Sequence, residues 1–299
     1  MKGCARTCVI WLFLWLASAG ALFLHLRQFG ILNPQIFWAC GIAGLLMTMA
    51  FAYAFNIATA RRERAMLLEA MTGMPPEDGK WVAVSGVIRA LNPLRAPLSG
   101  TPAVAYAYKI NETRRTSKGS SIVTLYEGKA LTPATIATRH GGVRLLAVPS
   151  LDLPIEQVPY AAAHDRAKAY VQATQFQTSA TPKEKRIGMN QESTDDDGNF
   201  RVDKCLDATY VNFANCTFEE HLVKQGETIC AFGLYSRQRG GLIPHPNWSN
   251  QARVMLGNAE TVAAKLSARM RKYAIGIVVC GALAYGIVWL YQHAASTSF

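Results

Sequence analysis

The chain has 299 residues; half are hydrophobic, only 17% are charged, and the net charge is +11. That length suits one large domain or two small ones, and so few charges set the chain apart from a soluble protein of average composition. The basic excess gathers beside apolar segments, without the aromatic–basic interleaving or Arg-rich tract of a nucleic-acid binder, so nucleic acid is not an expected partner.

Two apolar segments open the chain. Cys8–Leu26 has one histidine and no formal charge, and Ile36–Ile57 has Asn56 as its one strongly polar residue. A third, Tyr273–Tyr291, closes it without any charge. About 20 apolar residues at a 1.5 Å rise cross a ~30 Å hydrocarbon core, and lipid forces the backbone of each segment to satisfy itself as a helix. Lys2 and Arg6 followed by "ASA" at Ala17–Ala19 resemble a signal peptide. The apolar run continues to Leu26, however, which favours a retained anchor. Asn33 and Pro34 supply an N-cap and a first-turn proline for the second helix.

Lys2 and Arg6 flank the first span, Arg61, Arg62 and Arg64 follow the second, and Arg269, Arg271 and Lys272 precede the third. The loop after the first span offers only Arg27, and the tail Gln292–Phe299 has no Lys or Arg. The positive-inside rule then places the N-terminus and the middle region in the cytoplasm and the C-terminus outside, as in a multi-pass protein of a bacterial inner membrane. The basic flanks also attract anionic headgroups, at about 1 kcal/mol per residue. On a cytoplasmic face Cys205, Cys216 and Cys230 stay reduced, and the sequons at Asn111, Asn215 and Asn247 have no glycosylation to receive.

Between the spans, "GMPPEDG" (Gly73–Gly79) stops the extension of the second helix. Strand-like segments follow at Lys80–Ala90, Ala103–Ile110, Ile122–Glu127, Ala134–Thr138 and Gly142–Val148. The clearest is "LNPLRAPLSGTPAVAYAYKI", a proline-rich turn passing into alternation of Val104, Tyr106, Tyr108 and Ile110 against Ala103, Ala105, Ala107 and Lys109. Helical spacing of Tyr160, Ala163, Ala167, Tyr170, Val171 and Thr174 predicts a helix over Tyr160–Phe176. The polar stretch Thr178–Phe200 reads as a mobile loop. Strands resume at Phe218–Val223, Glu227–Tyr235, Gly240–Ile243 and Arg253–Leu256. "RQRGG" (Arg237–Gly241) is expected at a hairpin tip, its paired glycines permitting positive φ. Ala259–Met270 reads as an amphipathic helix running into the third span. The fold class is therefore α+β: two transmembrane helices in 1–60, a mainly β barrel or sandwich in 61–258, and an amphipathic helix with the last span in 259–299.

"VSGVIRALNPLRAPLSGTPAVAYAYKI" and "GGVRLLAVPSLDLP", followed by "EEHLVKQGETICAFGLYSRQRGGLIP", resemble the GIDE family, the "beside a membrane" domain. Members occur in a mitochondrial E3 ubiquitin ligase and in many prokaryotic membrane proteins. The likeness spans most of Trp81–Gly257, and the matching positions are Gly86, Pro93, Leu94, Ser99, Gly100, Pro102, Tyr106, Tyr108, Gly226 and Gly233. Members often carry cysteine where this chain has Ala103. The resemblance implies a membrane-adjacent β domain and structural roles for these residues. Ligase activity does not carry over with it, because a RING needs zinc ligands arranged partly as C-x2-C pairs. The sequence has no such pair, and "QHAASTSF" follows the last span.

Other chemistry has thin support. Cys205, Cys216, Cys230, His221 and His245 fit no usual zinc spacing. "STDDDGNFRVDK" has Ser193 and Lys204 where an EF-hand needs acids. No G-x-S-x-G, Cys–His motif or phosphate loop is present, and His140 and His164 read as structural or surface residues. No intramembrane charge marks a transport path. No cofactor, metal or catalytic residue is expected. Arg237, Arg239, Gly240 and Gly241 form a candidate interaction loop for a partner or anionic lipid, although a solvated turn is the simpler reading. Ala39-x3-Ala43 and Ala282-x3-Gly286 would allow close helix packing or homo-oligomers. The expected function is a non-enzymatic interaction, scaffold or sensor module at the membrane, with the bilayer and protein partners or further copies as its contacts. The alternative is a subunit of an enzymatic, ligase-like system or of a membrane-remodelling system, with a partner supplying the catalytic domain.

Overall fold

The computed structural model describes residues 2–28, 34–116, 119–146, 148–178, 193–194, 198–207, 213–243 and 252–296. Its helices are α1 (Lys2–Gln28), α2 (Pro34–Met71), α3 (Tyr160–Ala173) and α4 (Ala259–Ser296). Three hold stretches long and apolar enough to cross a membrane: Ile10–Gln28, Phe37–Met71 and Ala259–Tyr291. The chain divides into one unit of residues 1–65 with 263–299 and another of residues 66–262.

In the helical unit, small residues let backbones approach. A Cβ on Gly44 would lie 2.9 Å from Ala19, and one on Gly276 2.7 Å from the Tyr53 ring. Trp15 Nε1–H donates to the Gly41 carbonyl at 2.9 Å, and Tyr53 stacks on Tyr273 at 5.8 Å. Ala39 and Ala43 are buried, so this small-residue pair is covered within the chain. Ala282 is exposed, and nothing stands within 4 Å of a Cβ placed on Gly286. Phe13, Phe37, Trp38 and Leu290 are exposed apolar side chains, as lipid-facing positions require.

The second unit carries β1 (Trp81–Ala90), the short pair β2 (Leu94–Arg95) and β3 (Pro102–Ala103), β4 (Ala105–Thr116), β5 (Gly119–Leu131), β6 (Ala134–Thr138), β7 (Gly141–Leu145), β8 (Ser150–Asp152), β9 (Glu156–Val158), β10 (Gln177–Thr178), β11 (Ser193–Thr194), β12 (Phe200–Cys205), β13 (Cys216–Val223), β14 (Thr228–Ser236), β15 (Gly241–Ile243) and β16 (Arg253–Leu256). Strands β1, β6, β7, β15 and β14 pair in that order, and β14 returns to β1 from Trp81↔Leu234 to Val87↔Thr228. This ring is a five-stranded barrel, extended beyond β14 by β16 and β8. Closure requires β1 to change partners. It faces β14 up to Val87 and β6 from Val87 to Ala90. Gly86 stands at the change, where a Cβ would lie 2.0 Å from the Ala137 carbonyl oxygen. The barrel core includes Val84, Ile88, Ile136, Leu145, Ile229 and Leu242.

The second sheet runs β10-β12-β5-β4-β13-β9, with β11 on β12. Tyr106, Tyr108 and Ile110 are fully buried there, and with Leu125, Phe218, Ala163 and Ala167 they pack the sheet against α3. The alternation expected for this strand begins at Tyr106. Val104 and Ala105 instead join the barrel core, and Ala103 on the opposite face is also buried. Two elements differ more from expectation. The β4–β5 hairpin is longer, passing a register shift after Ile110. β12 occupies Phe200–Cys205, where no strand was expected, and pairs with β5 from Phe200↔Leu131 to Cys205↔Tyr126. Most of the expected loop Thr178–Phe200, residues 195–197 of the calcium-like stretch, and Asn33 and His245 lie outside the described residues.

Candidate functional site

The proline-rich turn ahead of β4 is held from a distance. Glu220 on β13 is completely buried, and its two carboxylate oxygens accept from the main-chain N–H of Leu98 at 2.6 Å and of Ser99 at 3.1 Å. Gly100 takes φ +74, a left-handed conformation that favours glycine. Ser99 Oγ accepts from the Thr101 N–H at 3.1 Å. On the outer side, the Arg166 guanidinium of α3 donates to the Ser99 carbonyl. The Ser99–Gly100 element picked out in the sequence is thus a rigid turn clamped by Glu220 and Arg166, which the sequence did not single out.

A buried polar cluster lies beneath α3. Asp203 of β12 accepts from the Tyr108 hydroxyl at 2.7 Å and the Tyr170 hydroxyl at 2.9 Å. Arg201 Nε stands 3.8 Å from the other carboxylate oxygen, and its guanidinium donates to the Tyr106 hydroxyl at 3.4 Å. Burial lifts the Asp203 carboxyl above its ordinary range, and the phenols and Arg201 offset this only partly. Both Tyr108 and Tyr170 are pushed up, chiefly by burial. The phenols therefore stay protonated and donate. A Cβ on Gly128 would sit 2.3 Å from Asp203 Oδ1 and 2.5 Å from the Tyr108 ring, so the cluster needs glycine there. Each of these groups is engaged by the protein itself, which suits fastening α3 to the sheet.

One end of the barrel gathers charge. β14 and β15 meet at Ser236↔Gly241, making Arg237–Gly240 the hairpin tip. The Arg237 N–H donates to Asp78 Oδ1 at 2.7 Å, and Arg144 on β7 donates to the Arg239 carbonyl. Of the paired glycines, only Gly240 has positive φ, at +61. Gly241 serves differently: a Cβ there would lie 2.4 Å from the Arg144 carbonyl oxygen. Arg139 and His140 occupy the exposed β6–β7 turn. Lys80 enters β1 beside the end of β14, where the Tyr235 N–H donates to its carbonyl at 2.9 Å, and its ammonium pairs with Glu77. The end thus presents Lys80, Arg139, Arg144, Arg237 and Arg239 against Glu77 and Asp78.

Beside it lies a groove of about 520 Å³. Its walls are the end of α2 from Met66, Gly73–Glu77, the face of β1 from Trp81 to Ser85, Thr138–His140 and Asn258–Glu260. Met66, Met71, Met74, Pro75 and Trp81 make much of it apolar, and Glu69, Lys80 and Glu260 also line it.

Among the described residues, no three His, Cys, Asp or Glu side chains are placed to hold a metal ion. Cys205 and Cys216 lie in the second core, and burial pushes the Cys216 thiol up to about 11. Cys230 donates weakly to the Gly257 carbonyl at 3.4 Å. His221 Nδ1 is 3.0 Å from the Leu153 carbonyl oxygen. His164 Nδ1 is 2.9 Å from Asp165. Gly226 takes φ +82 in the turn before β14, Gly233 lies within β14, Pro102 is exposed in β3, and Pro93 is exposed just before β2. No protein-family model, curated protein or solved structure matches the chain.

Proposed function

We propose that the protein is a non-enzymatic integral membrane protein, of bacterial inner-membrane type, whose β unit serves at the cytoplasmic face as an interaction, scaffold or sensor module. The observation that carries this reading is connectivity. The β unit is bounded by α2 and α4, and each of these helices contains a stretch apolar enough to cross a membrane. A domain tethered at both ends works on what lies at the membrane surface. The basic clusters flanking all three apolar segments support the cytoplasmic placement. The resemblance to the GIDE family points the same way. The charged barrel end and the neighbouring groove offer such a domain its contact surfaces.

Two measurements test the reading. Leu91, almost wholly exposed, takes a cysteine for labelling with an impermeant maleimide, with the parent chain as control. Reaction only after the cells are permeabilised supports the cytoplasmic placement, and reaction in intact cells overturns it. A photo-cross-linking residue at Met74 should give a discrete adduct in living cells. Absence of any adduct there and at Gln238 would remove the interaction-module reading.

A further inference from the structure

We infer that the basic end of the barrel docks on the headgroups of anionic lipids in the bilayer that anchors the chain, an inference resting on the membrane-surface reading above. Folding brings together cations that the sequence keeps apart. Lys80 stands at the start of β1, Arg139 in the β6–β7 turn, Arg144 on β7, and Arg237 and Arg239 in the β14–β15 tip. Parallel pairing of β7 with β15 through Gly241↔Arg144 sets these turns side by side. Main-chain bonds hold the tip, through Arg237 N–H to Asp78 and the Arg239 carbonyl from Arg144, while the Arg237 and Arg239 side chains are exposed. The scaffold is fixed and the Arg237 and Arg239 charges face outward, with Lys80 paired to Glu77 beside them.

Three observations favour lipid over an acidic protein. First, the cations come from separate turns and spread over a surface. Mobile anionic headgroups can redistribute to match such a spread, whereas a protein partner needs acids in register. Second, this end receives the chain from α2: Lys80 follows Met71, the last residue of that helix, by nine positions. Third, Met71 and Met74 on that approach are exposed, and apolar side chains beside cations are the mixture that interfacial segments carry.

The test uses the full chain reconstituted in lipid nanodiscs, with a fluorophore on Gln238→Cys at the tip and a second on Leu91→Cys, beyond the other end of β1. Headgroup-nitroxide lipids report proximity by quenching. Discs containing a phosphatidylglycerol-type lipid should quench the tip probe and not the Leu91 probe. Phosphatidylcholine discs should leave both unquenched, and R237E/R239E should reduce tip quenching to that level. These tip substitutions keep the main-chain bonds, and unchanged thermal unfolding confirms the fold. Equal tip quenching in both lipids, none in either, or none lost in R237E/R239E would overturn the inference. Shielding of the tip in native membranes but not in nanodiscs would also overturn it, assigning the end to a protein partner and leaving the module reading intact.

Discussion

A single carboxylate shows how much is staked on side chains under α3. Asp203 is harder to ionise folded than unfolded, because burial raises its value above the ordinary 3.8. The folded state therefore holds the proton more tightly, and the linked stabilisation is complete below that value and lost as pH rises through the folded one. Thermal unfolding of the detergent-solubilised chain from about pH 4 to pH 7 should reveal this falling component. Asp203→Asn, which keeps an oxygen for Tyr108 and Tyr170, should flatten it; an unchanged profile would refute the assignment. Gly128→Ala forces a methyl against Asp203 and Tyr108 and should cost about 1–3 kcal/mol, the usual range for overpacking. Glu220→Ala strips the Leu98 and Ser99 N–H groups of their acceptor and should cost about 3 kcal/mol, while Glu220→Gln should cost less. Denaturant melts would rank the three. None of these partnerships was legible in the sequence. Glu220 and Leu98 lie 122 residues apart, and no spacing rule joins them.

Among the elements, legibility followed local pattern. β1, β14 and β16 announce themselves by alternation and flanking turn residues, and their limits fall within a residue or so of expectation. β12 does not. In "FRVDKC" the alternation of Phe200 and Val202 with Arg201 and Asp203 breaks at Lys204, and its inward Asp203 looks like a solvent-facing residue until Tyr108 and Tyr170 are placed opposite. A buried acid reverses the usual reading of polarity, so no strand was expected beyond the loop that ends at Phe200. The cysteines check these strand faces. Cys205, Cys216 and Cys230 lie on β12, β13 and β14 with their side chains inward. In a chain lacking the other cysteines, all three should resist maleimide while folded and react on denaturation. Fast labelling of Cys216 in the folded chain would contradict the placement of β13, since its thiol is both buried and pushed up to about 11.

For the whole molecule, strand-like alternation between the spans and three apolar stretches supplied the α+β class, the latter because the bilayer imposes length and hydropathy rules visible in any window of about 20 residues. A barrel or sandwich was expected, but which strands close the ring was beyond reach, because β1 and β14 pair across a long stretch of sequence. The arrangement is also nested. β1 belongs to the barrel, β4 and β5 to the second sheet, β6 and β7 to the barrel again, β12 and β13 to the second sheet, and β14 and β15 complete the ring. Neither sheet can be excised as a continuous stretch. A fragment ending before β14 should lack protease resistance, whereas residues 66–262 together should keep it.

That nesting sets a timetable for biosynthesis. The β4–β5 hairpin can zip within microseconds of leaving the ribosome, and β6 soon covers the end of β1 from Val87 onward. Residues Trp81–Gly86 must wait for β14, which begins 147 residues after β1, or about 10 s at ordinary elongation rates. Throughout that interval the nascent chain holds an open strand edge, the moment at which a neighbouring ribosome's product could pair with it. Slow codons placed between β6 and β14 should therefore lower the yield of folded protein more than the same codons placed before β1.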